Sequence, residues 1–93
     1  MMSRKSIVVI TGGSAGVGRA TALAFARTGA DVALLARGAA RLEEARQEVE
    51  RLGVRCLPVP VDVADGDAVD RAAAQIEDAL GPIDVWVAPS TCG

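Results

Sequence analysis

The apolar run Ile7-Val8-Val9-Ile10 passes directly into Thr11-Gly12-Gly13-Ser14-Ala15-Gly16-Val17-Gly18, and an alanine-rich helical stretch follows. Apolar residues without alternation fit a parallel strand covered on both faces. When such a strand leaves through clustered glycines into a helix, it presents bare backbone N–H groups at the helix N-terminus. Those unpaired groups and the positive end of the helix dipole both favour an anion. Glycine is required because a Cβ would obstruct the tight turn and the close approach of a pyrophosphate. The segment points to a parallel α/β fold and to a dinucleotide ligand.

The rest of the chain repeats the same alternation. A helix from about Gly16 to Thr28 ends at Gly29, the usual residue just past a helix C-terminus. Val32–Ala36 reads as the second strand. Leu42, Ala45, Val49 and Leu52 then recur at helical spacing, with Glu43, Glu44, Arg46, Glu48 and Arg51 on the solvated side, and Gly53 stops that helix. The third strand lies within Val54–Val61. Pro58 and Pro60 place it at a sheet edge, where a missing N–H does no harm. Asp65 is placed to cap a third helix with an apolar stripe of Val69, Ala72, Ala73, Ile76 and Leu80. Gly81-Pro82 closes that helix, and Ile83–Val87 is the fourth strand. The pattern βαβαβαβ with right-handed crossovers predicts a Rossmann-type α/β fold: a parallel sheet in the order 3-2-1-4, with helices on both faces.

Composition removes several classes of function. At 93 residues the chain forms at most one small domain, and its formal charge of −2 comes from acids and bases mixed along its length. No surface for a nucleic acid is expected, and Phe25 and Trp86 are too few to stack bases. No apolar run approaches the roughly 18 residues of a membrane span. Cys56 and Cys92 match no metal spacing, and two cysteines cannot frame a secreted scaffold. Reduced thiols in a cytoplasmic protein are the expectation.

Four places in the chain resemble the short-chain dehydrogenase/reductase family. Thr11, Gly12, Gly16 and Gly18 match its Thr-Gly-x-x-x-Gly-x-Gly turn, with Val17 opening the helix. Arg37 stands at the end of the second strand, about 20 residues past the turn, where an acid holds the ribose 2′-hydroxyl of NAD and an Arg favours the 2′-phosphate of NADP. Leu34-Leu35-Ala36-Arg37 contains no acid, so NADP is expected over NAD. NADP-preferring members often carry a second basic residue just before the middle glycine, and Ala15 stands there. Ser14 either donates to the 2′-phosphate or satisfies the turn itself. By resemblance, Asp62 accepts from the adenine amino group and the Val63 backbone meets the ring; an Asx cap is the other reading of Asp62. Asp31 and Asp84 read as turn residues beside strands, without chemistry.

After Val87 the resemblance lapses. The family's fourth strand runs into Asn-Asn-Ala-Gly, whereas this chain reads Ala88-Pro89-Ser90-Thr91-Cys92-Gly93. The family's acid–base chemistry rests on a serine, a tyrosine and a lysine in the later part of its domain. This chain has no tyrosine or histidine, and its only lysine is Lys5. The expectation is therefore the N-terminal, cofactor-binding part of an oxidoreductase, truncated or altered in reading frame near residue 88, with no catalytic residue and no metal ligand. A dinucleotide-binding module or remnant without activity of its own is the alternative. A methyltransferase is disfavoured by Thr11 and by Arg37. The fourth strand, with Trp86, is expected to be an exposed edge through which the chain self-associates or aggregates.

Overall fold

β1 (Ile7–Thr11) is the strand on which the others are arranged in the computed structural model, which describes residues 6–12 and 16–88. The remaining elements are α1 (Gly16–Arg27), β2 (Asp31–Ala36), α2 (Ala39–Glu50), β3 (Cys56–Pro60), α3 (Gly66–Leu80) and β4 (Val85–Val87). The sheet is parallel and runs β3-β2-β1-β4, the order that the alternation predicts. Element ends move by one or two residues from the expected ones. β2 begins at Asp31 rather than Val32, and β4 is confined to the last three residues of its apolar run.

Successive residues of the central strands serve opposite cores. Val8, Ile10, Val32 and Leu34 pack with Ala22 and Ala26 of α1 and with Leu42, Ala45 and Val49 of α2. Ile7, Val9, Ala33 and Leu35 pack on the other face with Ala72 and Ile76 of α3. This two-sided burial is why Ile7–Ile10 shows no polar alternation. Each fully buried side chain such as Leu34 contributes about 1.5–3 kcal/mol. The alanines of α1 let that helix lie close to the sheet. Among the described residues, no helix is long and apolar enough to cross a membrane.

The sheet edges differ. Val32 N–H donates to the Arg55 carbonyl, and Val61 N–H donates to the Ala36 carbonyl. Alternation along a parallel ladder then turns Leu57 and Val59 toward β2 and Pro58 and Pro60 outward. The missing proline donors therefore face away from the sheet, as an edge allows. On the opposite edge β4 pairs with β1 alone among the described residues, and Val85 and Trp86 are exposed. Asp65 caps α3 as expected, its Oδ1 accepting from Ala68 N–H at 3.2 Å.

Asp31 departs from the turn role expected of it. It is the first residue of β2, fully buried, and it accepts from Arg55 three times: from the backbone N–H at 3.0 Å, Nε at 3.0 Å and Nη2 at 2.8 Å. Arg55 Nη2 also reaches the Leu80 carbonyl at 3.5 Å, which links β2, the approach to β3 and the end of α3. Both guanidinium donors meet Oδ2 and the backbone N–H meets Oδ1, the kind of charged, hydrogen-bonded partnership a buried carboxylate needs. Asp84 does similar work beside β1: its Oδ2 accepts from Ile7 N–H at 2.8 Å, and its own N–H donates to the Ile7 carbonyl at 2.9 Å.

Cys56 is buried in β3, and burial, reinforced by Glu50 and Glu43 against the opposing Arg46, pushes its thiol up to about 12. It stays protonated at neutral pH and is not a nucleophile. Replacing Arg55 by Met keeps the stem and the backbone donor but strips both guanidinium hydrogen bonds from a buried carboxylate. We expect Arg55→Met to lower the unfolding free energy by about 3 kcal/mol, the low end for a broken buried pair because the arginine is half in solvent. Urea denaturation followed by circular dichroism measures this, and a change under about 0.5 kcal/mol, the scale of an ordinary surface substitution, would contradict it.

Candidate functional site

The residues singled out from the sequence converge because the strands end together. Thr11 is in register with Leu35, and Ala36 with Pro60, so the chain leaves β1, β2 and β3 along one edge of the sheet. Gly12, Arg37 and Asp62 follow those three strand ends. The strand order reverses between β1 and β4, and in open parallel sheets the crevice at that reversal is where ligands bind.

The turn after β1 has a backbone that demands glycine. Gly12 has φ 72° and Gly16 has φ 61°, both in the left-handed region that strains other residues. A Cβ built on either would meet nothing within 4 Å, so crowding by the protein is not the reason for glycine. The open space beside the turn is the space a pyrophosphate would need. Gly12 N–H donates to the Leu35 carbonyl at 2.6 Å and carries the β1–β2 ladder one step past the strand. Thr11 Oγ1 donates to the Val87 carbonyl at 3.5 Å, which ties the turn to the end of β4. Gly18 is buried in line with Ala22 and Ala26, on the face of α1 that approaches the sheet. Val17 is exposed at the helix start, and no acid in the first turn of α1 offsets the positive end of its dipole. Ser14 lies outside the described residues, as do Pro89 and the residues after it.

Arg37 directly follows β2 and is exposed. Asp62 Oδ1 accepts from Ala64 N–H at 2.9 Å, and the Asp62 carbonyl accepts from Asp65 N–H at 2.9 Å. This is an Asx turn leading into the Asp65 cap, so one carboxylate oxygen of Asp62 already has a local structural role. Val63 is exposed beside it. No group of three or more His, Cys, Asp or Glu that would hold a metal ion occurs among the described residues.

The sequence profile of the short chain dehydrogenase family matches residues 6–91. The chain belongs to this family. It is 42% identical over 79 residues to a short chain dehydrogenase of Pseudocercospora fijiensis, a stretch covering 85% of this chain and 26% of that protein. L-sorbose reductase from Gluconobacter frateurii, solved with NADPH and L-sorbose, superposes with a TM-score of 0.89 at 39% identity, covering 96% of this chain and 34% of the reductase. An NAD+-bound xylitol dehydrogenase superposes with a TM-score of 0.84 at 31% identity, over 87% of this chain and 31% of the dehydrogenase. The chain thus spans about a quarter to a third of these relatives' length and corresponds to their N-terminal part.

One feature of this family member escapes its hydrophobic periodicity. Arg19, one turn into α1, donates from Nε to Glu48 Oε1 of α2 at 2.6 Å. The pair links the helix that follows the glycine turn to the helix that follows Arg37. At 29 residues' separation, no local pattern announces it. Further along α2, Arg46 bonds both Glu43 and Glu50, and its hydrogen bond to Glu43 holds that carboxyl below the usual carboxylate range.

Gly12→Ala should cost about 1–2 kcal/mol, because its φ is left-handed while its surroundings are open. Thermal or urea unfolding measures the loss. A neutral or stabilising alanine would mean that the turn adopts another backbone conformation.

Proposed function

We propose that this chain is the NADP-binding part of a short-chain oxidoreductase, with residues 1–93 forming a partial NAD(P)-binding Rossmann unit. The observation that carries the reading is Arg37, which stands exposed where β2 ends, beside the glycine turn, in a stretch without an acid. A guanidinium matches a phosphate bidentately and never loses its charge, whereas an acid there would select the free 2′-hydroxyl of NAD. The NADPH held by L-sorbose reductase supports this choice, and the NAD+-bound xylitol dehydrogenase marks the alternative within the same fold.

In this reading the bare N–H groups between Gly12 and Gly18, Val17 among them, receive the pyrophosphate, and Thr11 holds the turn against β4. Ser14 donates to the 2′-phosphate or closes the turn. Asp62 accepts from the adenine amino group while anchoring its own turn, and the Val63 backbone meets the ring. The bound cofactor supplies hydride exchange with a carbonyl or alcohol substrate. This chain's own part is to bind and orient it, since the sequence offers no tyrosine or histidine for proton transfer. A binding module without chemistry of its own is the second reading for the chain by itself. A cytoplasmic setting belongs to this reading, in keeping with the free, buried Cys56. For the β4 edge the proposed partner is a second copy of the chain, because Val85 and Trp86 leave an apolar strand unprotected.

Isothermal titration should show tighter binding of NADP than of NAD. Arg37→Glu should weaken NADP by about 100-fold, the scale of a lost charge-assisted contact, while changing NAD much less. Equal losses for both would remove Arg37 from the 2′-phosphate. Sedimentation velocity should show association that rises with concentration and falls in Trp86→Glu, and a monomer at every concentration would refute the β4 contact.

A further inference from the structure

We infer that Arg19 and Glu48 are a positioning pair that fixes where Arg37 stands, and so contributes to the selection of NADP; this rests on the cofactor reading above. Arg19 lies in the first turn of α1, directly after Gly18, and its Nε donates to Glu48 Oε1 in the last turn of α2 at 2.6 Å. The tie runs from the front of one helix to the rear of the next. Glu48 lies about 14 Å along α2 from the first residue of that helix, by the helical rise. A diagonal brace of this kind opposes sliding of α2 along its own axis. Packing opposes it less. The buried side chains that α1 brings to the shared core are Ala22 and Ala26, which raise only shallow ridges against Leu42, Ala45 and Val49. The ion pairs of Arg46 stay within α2, and that of Arg55 lies at the start of β2. Arg19–Glu48 is the one ion pair between two helices among the described residues.

A shift of α2 has one residue in which to be absorbed. The end of β2 is pinned from both sides: Gly12 N–H donates to the Leu35 carbonyl at 2.6 Å, and Val61 N–H donates to the Ala36 carbonyl at 2.8 Å. Gly38 moves with the helix, because its carbonyl accepts from Leu42 N–H at 2.9 Å. Arg37 is the joint between the pinned strand and the braced helix. Its backbone dihedrals take up any displacement of α2, and its long side chain carries the change out to the guanidinium. Holding that joint in one arrangement lowers the ordering cost of meeting a phosphate. The brace thus acts through Arg37 and bears on the nucleotide that carries a 2′-phosphate, leaving the other one unaffected.

The test titrates NADP and NAD into the 93-residue chain, into Arg19→Gln, into Glu48→Gln and into the charge-reversed double variant Arg19→Glu with Glu48→Arg. Glu48→Gln decides most. It removes a negative charge, so through-space electrostatics alone would favour the more anionic NADP. Loss of the brace should instead lower the NADP-to-NAD affinity ratio by about 3-fold, the scale of a partly exposed ion pair, while NAD affinity stays unchanged and reports an intact site. Arg19→Gln should lower the ratio to the same extent, and the charge-reversed pair should raise it again. An unchanged or raised ratio in Glu48→Gln, equal weakening of both nucleotides, or a charge-reversed pair no better than the single variants overturns the positioning role. In each of those cases the cofactor reading survives if the unmodified chain prefers NADP and Arg37→Glu abolishes the preference. An unmodified chain that binds neither nucleotide, or shows no preference, overturns both.

Discussion

Burial of β1 on both faces is the constraint from which the rest of the arrangement follows. A strand covered by α1 and α2 on one side and α3 on the other has no solvated face. The chain can turn back only beyond its end, over the top of the sheet. That turn cannot be buried without stranding backbone donors. Gly12 and Gly16 take left-handed conformations on the two sides of this turn, and the first N–H groups of α1, like those of any helix, have no partner within the helix. The anion seat proposed at this turn would thus be the consequence of closing a right-handed crossover on a two-sided core. The binding chemistry and the packing have one cause.

Local signals account for what the sequence reveals. Pro58 and Pro60 mark an edge because their missing donors can only face away from a neighbour, and Asp65 marks a helix start because its side chain reaches an amide three residues on. Contacts that join distant segments leave no such trace. Asp31 and Arg55, 24 residues apart, look like a loop acid and a loop base until the fold brings them together. Asp84 and Ile7 are separated by 77 residues, and their pairing depends on β4 returning beside β1. Asp62 shows a third case. Its turn role and the proposed adenine contact use the same side chain, and a carboxylate has two oxygens, so the two readings do not compete.

The two edges show how differently a parallel sheet can end. β3 carries prolines at both of its outward positions within Leu57–Pro60 and tolerates solvent along its whole length. β4 has no proline, no lysine and no bulge. Its neighbour Asp84 is already engaged with Ile7, and Trp86 lies in register with Val9 on the α3 side of the sheet. Protective residues at one edge and none at the other indicate that the two edges have different neighbours. The relatives are about three to four times as long as the stretch they share with this chain.

Electrostatics complete the division of the molecule into a structural end and a ligand end. The chain is slightly acidic, with a formal charge of −2, yet the sheet edge that carries the glycine turn is short of negative charge where it matters. Three of the four carboxylates of α2 are drawn into pairs along the middle and end of the helix, and Asp31 is locked to Arg55 at the opposite end of β2. The N-termini of α1 and α2 carry no first-turn acid, and Arg37 stands exposed at the end of β2. Helix dipoles act only within the first turn, so an acid at residues 39–41 would have cancelled much of this field. Ala39, Ala40 and Arg41 stand there instead. A net-negative protein can therefore offer a local seat to a dianion, because the field near the site depends on which charges are paired and not on their sum.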